Sequence, residues 1–387
     1  MKSVPRLNSI HWRRVTRWLA GGTGALALAL LTGCSTVKFY SQAAAGQAQI
    51  LLDSRPIPKV LLEPGVSERA RKKLTLVQEC RQFAKDKLQL PADWEYKRYT
   101  DLHRRYVVWV VYAAPEFSVE GKTWWYPMVG KLEYRGFFSE AAAKEEAARL
   151  KAEGWDVFMG GTEAYSTLGW FHDPVLNTFL YRSDSELVEL IFHELTHVKL
   201  FLPGDTDFNE AFATANAEAG ARQWLLYKGD TNGLIRYNKL LAREREMIRL
   251  LLATREELKE LYAETSLPLA EMRRKKAAII EGMRQEYVGI RQRWGENVRR
   301  DKSFSRPWTN ARFNTVSTYF DLLPGFEGLL AESHGDLTAF YASVASMRSM
   351  TQAERRAILK EAARKAGERA LDRASRPKNH DSMRRIE

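Results

Sequence analysis

The sequence predicts an α+β chain, with a mixed sheet in its N-terminal half and a helix-rich C-terminal half that includes a long helical hairpin. Aromatic and β-branched runs, which favour strands, are confined to positions 105–159. Beyond about position 185 the apolar residues recur at helical spacing. With 387 residues, 45% hydrophobic and 28% charged, the chain can bury a core, and disordered, collagen-like and polytopic membrane classes are excluded.

Positions 1–33 carry Lys2, Arg6, Arg13, Arg14 and Arg17 with no acid, followed by an apolar run at 25–31. That charged region and short apolar region predict a signal peptide, since the run is too short to span a bilayer; an uncleaved anchor is the alternative. The segment ends Leu31-Thr32-Gly33-Cys34, which resembles a bacterial lipobox. The resemblance implies that Cys34 becomes the lipidated first residue of the mature protein. Acyl chains would then hold the protein at a membrane. Ser35 after the cysteine implies a place at the outer membrane, in the cell envelope and facing the periplasm.

The balance of 60 Lys and Arg against 48 Asp and Glu gives +12, which raises nucleic acid or an anionic membrane as partners. Five of those charges lie in the signal segment, and positions 354–387 hold 11 basic against six acidic residues. The remainder carries only +2, so no nucleic-acid partner is expected. Once Cys34 is lipidated, Cys80 is the only other cysteine. It falls in an amphipathic helical pattern and is expected as a buried thiol.

A linker and N-terminal α/β region is expected over 34–160. It opens with Ala- and Pro-containing connections, then a helix over 67–88, strands in RYVVWVVY (105–112) and KTWWYPMVGKLEYRGFF (122–138), a helix over 141–153 ending at Gly154, and a strand over 156–159. The aromatics read as core and sheet surface, because no basic stripe accompanies them.

The catalytic core is expected over 161–228. AYSTLGWFHDP (164–174) reads as a strand and turn, with the AYSTLG part a candidate edge strand for pairing with a peptide backbone. Trp170 and Phe171 either wall subsites or join the core. An apolar helix over 185–202 contains His193-Glu194-Leu195-Thr196-His197. Positions four apart share a helix face, so His193 and His197 can present imidazoles to one Zn²⁺ while Glu194 takes a proton from the metal's water. Neutral imidazoles suit zinc, and zinc lowers the pKa of its water to about 7. The helix stops at Leu202-Pro203-Gly204-Asp205, and a second starts near Asp207, which can cap it. A short loop folds the two antiparallel and returns Glu210 toward the histidine face as a candidate third ligand. Two histidines and a glutamate with one open position form a catalytic rather than a structural zinc site.

Positions 229–300 are helix-rich, with Leu241, Ile248, Leu251, Leu258 and Leu261 at helical spacing and a break at Ser266-Leu267-Pro268, which predicts the hairpin. A C-terminal helical lobe follows over 301–353. The basic tail 354–387 reads as a helix to about Ala374, solvated, then an irregular end.

The spacing of His193, His197 and Glu210, with Glu210 inside Asn-Glu-Ala-Phe-Ala, is similar to the gluzincin metallopeptidases. The lipobox, WYPMVGKLEYRGFF, AYSTLGWFHDP, IFHELTH, GDTDFNEAFAT and TNARFNTVSTYFDLLPGF together resemble the predicted bacterial zinc aminopeptidase family of lipoproteins. The resemblance implies a zincin-like fold and a Zn²⁺-dependent aminopeptidase acting on peptides, with His193, His197 and Glu210 as ligands and Glu194 as general base. An envelope endopeptidase, or a lipoprotein scaffold with a structural metal site, are the alternatives. The His197–Glu210 spacing is shorter than in the best-known gluzincins, and the acid expected four residues after the ligand glutamate is Thr214. Asn209 and Glu218 are therefore the candidates for orienting an imidazole. Tyr319, in the late motif, either stabilises the oxyanion or packs in its helix. Glu163 either binds the substrate's α-ammonium or is a surface acid. Oligomeric state is not legible.

Overall fold

The computed structural model describes residues 33–126, 130–164, 166–167, 169, 171–295, 304 and 306–375, with side-chain surroundings given from 38 to 369. The expected signal segment, the Cys34 side chain and the end of the tail lie outside the described residues. Contacts divide the chain into two units, 1–52 and 53–387. Of the first, helix α1 (Gly33–Leu52) is described, where a linker was expected. No described helix is long and apolar enough to cross a membrane.

The second unit mixes helices with three small sheets rather than one. Strands β1 (Arg55–Pro56), β2 (Arg98–Thr100) and β8 (Val175–Leu176) form a mixed sheet, with β2 antiparallel to β1 and parallel to β8. Helices α2 (Ile57–Leu62) and α3 (Glu68–Leu88) lie between β1 and β2 in sequence; Ser67 caps α3 by accepting the Ala70 N–H at 3.2 Å. Cys80 is fully buried on α3, and burial pushes its thiol pKa up, so it stays protonated.

The central strand of the second sheet, β3 (Val108–Ala114), is buried along nearly its whole length. It pairs antiparallel with β6 (Tyr134–Phe137) on one side and β7 (Asp156–Thr162) on the other. The hairpin β4 (Trp124–Tyr126) and β5 (Gly130–Leu132) stands apart as the third sheet. Helix α4 (Glu140–Ala152) connects β6 to β7. The segment 164–169, expected as a strand, contains none among its described residues. Instead the Asp173 carboxylate accepts the Thr167 N–H and hydroxyl, both at 2.7 Å, and Asp173 N–H donates to buried Glu95 at 2.6 Å. The first of these bonds takes up the Thr167 N–H, a backbone group that a strand would have paired.

After a single turn, α5 (Asn177–Leu180), come α6 (Asp184–Lys199) and α7 (Thr206–Tyr227). Helices α8 (Thr231–Ala263) and α9 (Leu269–Arg293) form the expected hairpin, breaking at 264–268. Its seam buries Leu250, Leu251 and Leu258 of α8 against Met283, Tyr287 and Ile290 of α9. Helices α10 (Asn310–Phe320), α11 (Leu323–Glu332) and α12 (Leu337–Ser346) lead to α13 (Gln352–Ser375).

Helix α13 is not a solvated tail. Leu359 and Ala362 are buried against α11, where Gly325 and Gly328 let the two backbones meet. A Cβ on Gly325 would lie 2.6 Å from the Leu359 carbonyl oxygen, and one on Gly328 would run into the Ala362 carbonyl. Arg355 reaches Asp205 at 2.6 Å and Arg356 reaches Asp207 at 2.7 Å, so α13 also holds the entry to α7. Asp207 is therefore an ion-pair partner and not the expected cap. Position 205 is the N-cap, and its side chain makes no capping bond.

Because backbone cannot give way as a side-chain tip can, Gly328→Ala is expected to lower stability by about 1–3 kcal/mol, read as a fall in the urea midpoint. A second expectation concerns Glu133, part-buried between β5 and β6, whose carboxyl is pushed up to about 7 by burial and then by the Asp207 charge. Its pKa is higher folded than unfolded, so its cost is absent near pH 4, grows as pH rises toward 7 and is complete above that. Glu133→Gln should leave stability at pH 4 unchanged and raise it at pH 8 by about 1–3 kcal/mol, measured by denaturant unfolding at both values.

Candidate metal centre

Helix α6 is built to present one polar face from a buried frame. Ser183 and Glu186 form a capping box at its start. Leu187, Val188, Ile191, Phe192 and Leu195 are fully buried, while Glu189, His193 and His197, spaced four apart, share another face. Phe192 stacks on Phe83 of α3, with ring centroids 6.1 Å apart.

The turn from α6 to α7 is fixed by Asn209. Its carboxamide oxygen accepts the Leu202 N–H and its nitrogen donates to the Leu202 carbonyl, both at 2.8 Å. Asn209 thus closes the turn, and none of its recorded bonds reaches an imidazole. The helix register is locked by a buried polar chain. Thr196 Oγ1 accepts from Asn216 at 2.7 Å, and the single proton of the Tyr341 hydroxyl is shared between Asn216 Oδ1 and the Leu88 carbonyl, at 3.0 and 2.9 Å.

This packing brings Glu210 to the two histidines. His193 Nε2 lies 3.1 Å from His197 Nε2 and 3.1 Å from Glu210 Oε2, and His197 Nε2 lies 3.5 Å from the same oxygen. Among the described residues, these three form the one group of His, Cys, Asp and Glu side chains spaced to hold a metal ion. A tetrahedral ion with bonds of 2.0–2.1 Å separates its ligands by about 3.3 Å, so the triangle fits such an ion as it stands. His197 Nδ1 is buried without a hydrogen-bond partner. Glu218, the other candidate for orienting an imidazole, is instead bound to Arg245.

Charge is concentrated at this point. Burial opposes ionisation of Glu210, but the two imidazoles overcome it and hold its carboxyl well below the ordinary range. Burial likewise opposes protonation of His197, yet the Glu210 charge and hydrogen bond, with the Glu194 charge, raise its pKa. Glu194 is 8% exposed, and desolvation raises its pKa against the pull of both histidines.

The Tyr319 ring lies over His193, with centroids 6.3 Å apart and planes 28° apart. The sequence reading missed two further tyrosines. Tyr112 and Tyr134 are register partners on β3 and β6, their rings 5.5 Å apart, and the Glu210 charge acts on both hydroxyls as it does on Tyr319. All three phenols are raised above their ordinary pKa and remain donors: burial comes first for Tyr112 and Tyr134, the Glu210 charge for Tyr319. Only the position of Tyr134 inside WYPMVGKLEYRGFF could have signalled it.

A cleft of about 860 Å³ opens beside the cluster, lined by His193, Glu194, Thr214 and Tyr319. Glu163 lines it too, but its carboxylate is paired with Arg182 at 2.8 Å. Phe171 is half exposed and Trp170 lies outside the described residues.

No curated protein and no solved structure matches the chain. A family model described as "Putative aminopeptidase" matches residues 38–359, which take in the three-residue cluster, Glu163, Glu194 and Tyr319. The chain belongs to that family.

Proposed function

We propose that the protein is a zinc-dependent peptidase with a zincin-like catalytic core, acting as an aminopeptidase. The observation that carries this is the triangle of two imidazole nitrogens and one carboxylate oxygen at 3.1, 3.1 and 3.5 Å, with the buried carboxyl of Glu194 next to one of them in sequence. His193, His197 and Glu210 would hold the ion. When bound, it supplies Lewis acidity and a water acidified to a pKa of about 7.

The chain's own groups supply the rest. Desolvation makes Glu194 a stronger base than a surface carboxylate. It takes a proton from the attacking water and returns it to the departing amine. Tyr319 keeps its proton and can donate a hydrogen bond to the carbonyl oxygen as that oxygen gains charge. Tyr134, on the strand side, also keeps its proton beside the Glu210 charge. The family description supports peptidase action, and free amino-terminal substrates are the finer reading proposed here. The sequence further supports attachment to the envelope through lipid on Cys34, at the outer membrane and facing the periplasm.

Glu194→Gln is expected to lower kcat by about 10²–10⁴-fold, the range for loss of a general acid–base group, with stoichiometric zinc retained on metal analysis. Unchanged hydrolysis by that variant would sink the mechanism. His197→Ala and Glu210→Ala are expected to lose the metal. Peptides with a free amino terminus should be cut at their first bond and their N-acetylated counterparts left intact; internal cleavage of the blocked peptides would make the enzyme an endopeptidase.

A further inference from the structure

Helix α6 carries seven apolar side chains, and five of them, Leu187, Val188, Ile191, Phe192 and Leu195, are fully buried. Of the other two, Val198 packs toward Gly169, where a Cβ would lie 3.0 Å from the Val198 Cγ1. Leu190 is left part-exposed and lines the cleft, one turn before Glu194 on the same helix face. Two other helices bring apolar groups to the same cleft. Leu240, Glu244 and Met247 recur at helical spacing on α8 and so share a face, with Leu241 beside it. Leu241 is buried and Met247 packs on the apolar core of the α8–α9 hairpin, so this wall extends that core. Leu240 is 45% exposed. Phe320 of α10 follows Tyr319, with ring centroids 6.2 Å apart, and the Tyr319 ring lies over His193. The apolar lining thus runs up to the candidate metal ligands.

Most charged groups lining the cleft are engaged with other groups of the protein. Glu163 pairs with Arg182 and Glu218 with Arg245, Glu189 accepts from the Tyr237 hydroxyl, and Arg243 and Arg291 lie over the Trp294 ring. Glu244, between Leu240 and Met247, stays exposed. Leu190, Leu240, Met247 and Phe320 therefore keep apolar surface in water until something apolar covers it. The cleft that holds them, of about 860 Å³, also opens on His193 and Glu194. Its volume is that of a ligand site in which an apolar lining binds and a few polar groups orient, so the group that covers the apolar wall belongs to the molecule brought to Glu194.

We propose that Leu190, Leu240, Met247 and Phe320 form a specificity pocket for a large apolar side chain of the peptide, beside the bond that is cut. This rests on the peptidase reading and names the substrates that the cleft selects, those with leucine-like or larger apolar residues. The side chain can belong to the first residue of the peptide or to the second, on either side of the first bond.

Calorimetric titration separates the two positions, using the full-length, zinc-equilibrated Glu194→Gln protein so that the peptides survive. Alanyl-alaninamide, leucyl-alaninamide and alanyl-leucinamide carry the same charge and differ only in an isobutyl group. A single methylene in an apolar pocket is worth about tenfold or more, so at least one leucyl peptide is expected to bind tenfold or more tightly than alanyl-alaninamide. The tighter of the two identifies the position. Lysyl-alaninamide and alanyl-lysinamide, which offer Glu244 a cation instead, should bind more weakly than the leucyl peptide of that position. A leucyl preference below tenfold, or lysyl peptides that match the leucyl ones, overturns the pocket. Adding Leu190→Ala and Leu240→Ala, two side chains outside the buried core, should reduce the preference at least threefold; a smaller fall overturns the assignment to this wall. Should that variant not fold, the comparison of peptides on the parent protein still decides. Hydrolysis is no part of these readouts, so failure of the peptidase reading would show as absent turnover by the unaltered protein, and failure of the pocket as equal binding.

Discussion

The site depends on the antiparallel packing of α6 on α7. Neither helix alone brings three ligating atoms together; the turn closed by Asn209 does, by placing Glu210 against imidazoles 13 and 17 positions earlier. The chain from Thr196 through Asn216 to Tyr341 then prevents α6 from sliding along α7. A slip of one residue would turn a ligand by about 100° around the helix axis. The buried polar bonds therefore specify geometry as much as they add stability.

The same packing explains the electrostatics. Glu210, buried between two imidazoles, has its negative charge favoured, while Glu194 on the neighbouring helix position has its charge opposed. Two neighbouring carboxyl groups are thus driven in opposite directions by their surroundings, which is how a fold divides ligand and base roles between identical side chains. Away from the cluster the acids divide again: Glu163 and Glu218 are held by arginine, while Glu189 accepts from the Tyr237 hydroxyl.

Local patterns made part of this legible. The four-residue spacing of His193 and His197 fixes a shared helix face, and the Leu202-Pro203-Gly204 break fixes the turn, so the cluster could be read from a stretch of 18 residues. The α8–α9 hairpin followed from its apolar stripe in the same way. What was not legible depends on distant partners. Segment 164–169 has the composition of a strand, but Asp173 and Glu95 hold the chain around it in another arrangement. Tyr112 and Tyr134 look like ordinary sheet residues until the pairing of β3 with β6 places them near Glu210. The basic composition of α13 suggests solvent, and only the glycines of α11 reveal that a helix must lie there. The three small sheets, in place of one, follow from strands of two to seven residues whose partners composition does not name.

The brace between Arg355 and Asp205 joins residues 150 positions apart. A chain emerging from its N-terminus acquires both histidines and Glu210 long before position 355 exists, and contacts of such separation form late because the loop between them must first be closed. The entry to α7, four residues before Glu210, is therefore clamped by the last of the described helices. Completion of the cluster is in this way tied to the arrival of α13, and a product truncated before α13 would hold every candidate ligand without the clamp that steadies their turn.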